Sequence, residues 1–180
     1  MVYMLLGTGF EETEAITPLD LMRRAGIEVL TVGVNGKNIT GGHGICVKAD
    51  IELGQMDLTD MDMIVLPGGL GGVASVRASK PAMNALQFAW ENEKYVAAIC
   101  AGPTVLADLG ITDGKQTTCY PGCESGMGNA LCQEGKACVR DGRVITGTSA
   151  GCAVPFGLML IEALKGEEAA KTVAEQIVIR

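Results

Sequence analysis

Residues 96–102 read Val-Ala-Ala-Ile-Cys-Ala-Gly, an apolar run that ends in a cysteine followed by two small residues. Val96–Ile99 is predicted as a buried strand, because polar Glu91–Lys94 precede it. Pro103 suits the first turn of a following helix, where its missing N–H costs nothing. Cys100 would then face the free N–H groups and positive end of that helix, both of which favour thiolate over thiol. A nucleophilic thiol is one account of these seven residues. A small buried hydrophobe is an equal one, since free cysteine is among the most buried residue types.

A reactive thiol needs a proton partner and, for attack on a carbonyl, donors for the developing oxyanion. The acidic cluster Glu11, Glu12 and Glu14 follows another strand end and supplies carboxyl candidates. A carboxyl buried beside a thiolate has its pKa raised by desolvation and by like charge, so it can stay protonated and donate to sulfur. Glu14 lies one turn into its helix and could point back toward the strand ends. Each glutamate is otherwise explained as decoration of a helix start. His43, the only histidine, stands far upstream of Cys100, and no local pattern couples the two. Pro67-Gly68-Gly69 offers successive backbone N–H groups which, with that of Ala101, suit an oxyanion hole. The plain alternative is a tight turn.

Other motifs carry less. Gly147-Thr148-Ser149-Ala150-Gly151 matches G-x-S-x-G, but the hydrolase order needs a histidine after the serine and none follows position 43. Gly7-x-Gly9-x-x-Glu12 puts a carboxylate where a dinucleotide fingerprint needs its third glycine. Cys119-x3-Cys123 and Cys132-x5-Cys138 lack ribbon spacing and a nearby histidine, so no metal is expected. Seven cysteines, an odd number, with no leader-like segment, argue against a disulfide framework.

These residues need a scaffold, and 180 residues, 48% of them hydrophobic and 19% charged, suit one domain over 1–180. A net charge of −7 with no long Lys/Arg run speaks against nucleic acid. Short apolar runs and the lack of a basic, cleavable N-terminus predict a cytoplasmic protein without a membrane span. Strands are predicted at Val2–Leu6, Glu28–Val34, Ile45–Ala49, Met61–Leu66, Val96–Ile99 and Gln116–Cys119. Helical spacing runs from the acidic cluster to Gly26 with a kink at Pro18, from Ser79 to about Asn92, from Pro103 to about Leu109, and over Ala153–Leu164 and Glu167–Gln176. Asp141-Gly142 between Ala137–Arg140 and Arg143–Thr146 predicts a two-residue hairpin, and Tyr120–Gly135 reads as irregular. Alternating strands and helices imply a mostly parallel sheet covered on both faces, with ligands at the strands' carboxyl ends. Gly7–Glu14, Pro67–Gly72, Cys100–Gly102 and Gly147–Gly151 all fall there.

Residues 11–26 (EETEAITPLDLMRRAG), 65–69 (VLPGG), 97–103 (AAICAGP) and 161–166 (IEALKG) resemble the ThiJ/PfpI superfamily, and within it the Parkinson-associated, DJ-one-like deglycase branch. The resemblance spans essentially the whole chain. It implies a flavodoxin-like α/β sandwich, a homodimer and no cofactor. Cys100 would be the nucleophile and oxidation-sensitive thiol, Glu14 the protonated carboxyl beside it, and Gly68, Gly69 and Ala101 the backbone donors. The implied chemistry is glyoxalase- or deglycase-like, on small carbonyls such as methylglyoxal or on glycated thiols and amines. A redox sensor or chaperone working through Cys100 oxidation is the alternative. Three departures name accessory candidates. Cys119 and Tyr120 stand where relatives often carry a histidine. Ala150-Gly151-Cys152 replaces Arg-Gly-Pro and brings a second thiol, Cys152. His43 occupies a loop where some relatives have an interface arginine, so it is a candidate to reach a partner subunit's site; a solvent-exposed loop histidine explains it as well.

Overall fold

The computed structural model describes residues 1–179. Seven strands form one sheet in the order β10-β11-β7-β6-β1-β2-β5: Cys138–Asp141, Val144–Gly147, Tyr95–Ile99, Met63–Leu66, Val2–Leu6, Val29–Gly33 and Ile51–Glu52. Every pairing is parallel except β10 with β11. Two small ribbons lie outside the sheet: β3 (Asn38–Thr40) with β4 (Cys46–Lys48), antiparallel, and β8 (Gln116–Thr117) with β9 (Leu131–Cys132), parallel. Helices α1 (Glu12–Arg24), α5 (Ala153–Lys165) and α6 (Glu167–Gln176) cover one face. Helices α2 (Leu70–Ala78), α3 (Lys80–Glu91) and α4 (Pro103–Asp108) cover the other. This is a flavodoxin-like α/β sandwich.

The central strands β1, β6 and β7 read as unbroken apolar runs because both faces are buried. Their alternation still sorts side chains: Met4, Leu6, Ala97 and Ile99 enter the α1–α5 layer, while Tyr3, Leu5, Val96 and Ala98 enter the α2–α3 layer. α1 runs on through Pro18, where the sequence pattern predicts a kink. Pro18 is buried against α5, and a Cβ at Gly157 would strike it.

Some local expectations shift. The hairpin register is one residue later than predicted, with Asp141 paired to Val144 and Gly142-Arg143 in the loop. The strands expected over 45–49 and 116–119 shrink to Cys46–Lys48 and Gln116–Thr117 and join the ribbons, not the main sheet. The stretch 120–135 holds a 3-10 turn at Glu124–Gly126 and strand β9. Helix α2 went unread because Gly71 and Gly72 are poor helix formers. It forms because a Cβ at Gly72 would collide with Phe10, so glycine lets the helix close on the β1 turn.

Candidate active site

Strands β1, β6, β7 and β11 lie side by side, so their carboxyl ends gather residues 7–14, 67–72, 100–102 and 147–151 along one edge. Hydrogen bonds tie these segments together. The Glu11 N–H donates to the Gly68 carbonyl and the Cys100 N–H to the Gly147 carbonyl, both at 2.9 Å. Cys100 has φ +66°, a left-handed conformation that a residue with a Cβ seldom adopts. Its carbonyl accepts from the Tyr120 N–H at 2.8 Å, so the turn is held from both sides. The conformation costs on the order of 1–3 kcal/mol and persists only because its surroundings impose it.

Glu14 sits on the first turn of α1 and is only 1% exposed. Its carboxyl and the Cys100 thiol are hydrogen-bonding neighbours. Gly68 makes that contact possible, since a Cβ there would collide with both the carboxylate and Cys100 Cβ. The Gly68 N–H donates to Glu14 Oε2 at 2.9 Å. Here the donor assignment differs from expectation. The N–H groups of Ala101 and Gly69 face the sulfur, whereas that of Gly68 is committed to the carboxylate.

Sulfur chemistry differs as well. Burial, then the charge and hydrogen bond of Glu14, push the Cys100 thiol up to about 12, against the thiolate expected from a helix start. The expected dipole is weak because α4 has only six residues. Burial pushes the Glu14 carboxyl up to about 7; the Glu11 charge adds to this, while the Cys100 thiol and the Gly68 and Ala150 N–H groups oppose it. The pair therefore holds two protons below about pH 7 and one above it. A carboxylate poised near neutral pH beside a thiol is a general base in position.

The accessory candidates scatter. The His43 ring lies 2.9 Å from Glu12 Oε2, and its backbone N–H donates to Glu12 Oε1 at 2.8 Å. The side chain is exposed, and the Glu12 hydrogen bond and charge raise its pKa. Cys152 neighbours Cys138: the Cys138 thiol lies 3.9 Å from the Cys152 carbonyl. Tyr120 holds the site through its backbone while its side chain is exposed. Ser149 caps a 3-10 turn in extended conformation, with no histidine beside it. Among the described residues, one group of three offers ligand atoms within 4.8 Å of one another: Glu11, Glu12 and His43, the last two bonded to each other. The four cysteines with loose zinc spacing form no such group.

Sequence reasoning missed two supports. Glu11 is the N-cap of α1 and accepts the Glu14 N–H at 2.7 Å, which fixes the turn that aims Glu14. Its place just before the helical spacing was the available signal. Thr118 donates its hydroxyl to the Lys136 carbonyl and lies 2.9 Å from the Thr148 hydroxyl, bracing the wall between Tyr120 and the β11 turn. Nothing in the sequence marks that contact.

A model of the DJ-1/PfpI family matches residues 1–163. The chain is 35% identical to protein dj-1beta of Drosophila melanogaster over 178 residues, which cover 98% of this chain and 95% of that one. The chain belongs to the DJ-1/PfpI family. The crystal structure of Drosophila melanogaster DJ-1beta superposes with a TM-score of 0.94, covering 99% of this chain and 97% of that one at 35% identity. Oxidized Toxoplasma gondii DJ-1 gives a TM-score of 0.93 at 31% identity, covering 98% and 97% of the two chains. A protein named as a deglycase in Pyrococcus horikoshii is 34% identical over 129 residues, or 72% of this chain and 77% of that one. These DJ-1/PfpI relatives support a function in the deglycase and oxidative-stress range. No described helix is long and apolar enough to cross a membrane.

Proposed function

We propose that Cys100 and Glu14 act together as a cofactor-independent catalyst on reactive dicarbonyls and their thiol or amine adducts. One observation carries this reading: a buried carboxyl titrating near neutrality lies against a thiol held in a strained turn. The sulfur attacks the aldehyde carbon of methylglyoxal while Glu14 takes the thiol proton. The Ala101 and Gly69 N–H groups receive the oxyanion. Glu14 returns the thiol proton to that oxyanion and, ionised again, moves the proton of the former aldehyde carbon to the adjacent carbon. The thiohemiacetal becomes a thioester without any net change in oxidation. Water releases lactate and restores the thiol. A thiol or amine adduct first expels its thiol or amine, which takes the hydroxyl proton, and so regenerates the aldehyde that the sulfur attacks. The deglycase name of the Pyrococcus relative supports this class of substrate.

The homodimer implied by family resemblance and a cytoplasmic setting belong to the proposal; sedimentation mass tests the first. Cys100→Ser is expected to cut lactate formation from methylglyoxal by over about a thousandfold, as loss of a covalent nucleophile does. Turnover persisting in that variant would remove the reading. The Toxoplasma relative, described as oxidized, favours a second reading in which Cys100 becomes a sulfinic acid with Glu14 hydrogen-bonded to it. Mass spectrometry after mild peroxide tests it: oxygen gain must fall first on the tryptic peptide Tyr95–Lys115, which carries Cys100. Preferential oxygen gain elsewhere counts against it.

A further inference from the structure

Behind the wall that carries Tyr120, two further thiols meet. Cys119 is 5% exposed and Cys132 is exposed, and their side chains open onto one cleft. The β8–β9 ribbon brings them together by aligning Thr117 with Cys132, and the Gln133 N–H donates to the Thr117 carbonyl at 2.7 Å. The Thr117 hydroxyl lies 3.9 Å from Cys132 Sγ. Cys119 lies two residues past the end of β8 and opens onto the same cleft as Cys132. Both cysteines line a cleft of about 190 Å³ shared with Glu124 and Glu134.

We propose that Cys119 and Cys132 form a second reactive thiol site, a dithiol that reduces small uncharged hydroperoxides and closes to a reversible disulfide. Size and charge choose the substrate: the cleft admits a small molecule, and two carboxyl side chains disfavour anions such as glutathione disulfide. The exposed Cys132 sulfur attacks the terminal peroxide oxygen and breaks the O–O bond. This gives Cys132 sulfenic acid and releases the alcohol, or water from hydrogen peroxide. The Cys119 sulfur then attacks Cys132 sulfur and displaces the hydroxyl, which leaves as water with the Cys119 proton. Two thiols and one hydroperoxide become one disulfide, one alcohol and one water. Burial, then the Cys132 charge, push the Cys119 thiol up to about 12. The bridge would fasten the 118–135 segment beside Tyr120, whose N–H supports Cys100.

The tryptic peptide Gln116–Lys136 contains Cys119, Cys123 and Cys132 and is distinct from the Cys100 peptide. After one equivalent of hydrogen peroxide and thiol blocking of the full chain, this peptide should lose two hydrogens. Dithiothreitol should reverse the loss. It should persist in Cys123→Ser and in Cys100→Ser, and vanish in Cys132→Ser, an exposed position where folding is not at stake. Three outcomes would overturn the proposal: oxygen gain on Cys132 without a bridge, an unchanged peptide while the Cys100 peptide is oxidised, or a bridge that survives Cys119→Ser and so uses Cys123.

Discussion

Glu12 and Glu14 stand two residues apart on one helix, both with little exposed surface, and the protein moves their pKa values in opposite directions. Burial opposes ionisation of both. At Glu12 the His43 ring and the backbone N–H groups of His43 and Ile45 outweigh it and hold the carboxyl below its usual range. At Glu14 burial, joined by the Glu11 charge, prevails over the thiol and the Gly68 and Ala150 N–H groups and leaves it at about 7. The contrast shows how depth and donors act together: Glu12 lies under an exposed loop whose donors hold it ionised, whereas the deeper Glu14 is kept as a proton carrier. Successive residues turn by about 100° around a helix, so Glu12 faces the 41–45 loop while Glu14 faces the strand ends.

The largest test of the contrast is Glu14→Gln. It keeps an acceptor for the Gly68 N–H but removes the base, and kcat/KM for the dicarbonyl should fall by about 10²–10⁴. The wild-type rate should rise as pH climbs through about 7, where Glu14 ionises, and the variant should lack that limb. Stability gives a smaller effect of defined sign. Folding raises the Glu14 pKa from 4.5 to about 7, so the protonated carboxyl's contribution is whole below the lower value and lost through the higher one. Glu14→Gln should therefore melt a few degrees above wild type at about pH 8 and show no such gain at about pH 4. A gain that is the same at both would mean that Glu14 is not buried as a proton carrier. The smallest effect belongs to the other carboxyl. His43 is the sole histidine, so its NMR titration is unambiguous. The midpoint should lie above the ordinary 6.5 and drop in Glu12→Gln while dicarbonyl turnover changes little. An unmoved midpoint would break the pairing on which the contrast depends.

The layered parallel sheet was legible because its strands are apolar runs cut off by Gly or Cys, and a strand buried on both faces leaves that trace. Cys100 was legible for the same reason. Glu14 was only one of three carboxyl candidates by chemistry, because what separates it from Glu12 is the direction each side chain takes, and only the family pattern raised it. The protonation of Cys100 was read with the wrong sign. The strand-to-helix turn is local and visible, whereas the carboxylate pressed against the thiol arrives from a segment far back in the chain. Helix α2 and the hairpin register depend on what packs beside them, Phe10 in one case and β7 in the other, and residue propensity does not record that.

The backward twist of Cys100 bears on how this chain responds to selection. Glycine accepts that twist freely, so Cys100→Gly relieves about 1–3 kcal/mol of strain against roughly 0.5–1 kcal/mol of glycine's entropy cost. Chemical denaturation should find the variant more stable by about 1 kcal/mol. A lineage or a library sorted for heat resistance alone would drift toward losing its thiol, and only a demand for the reaction keeps cysteine at that corner. The corner is a place where durability and usefulness pull against each other through a single backbone angle.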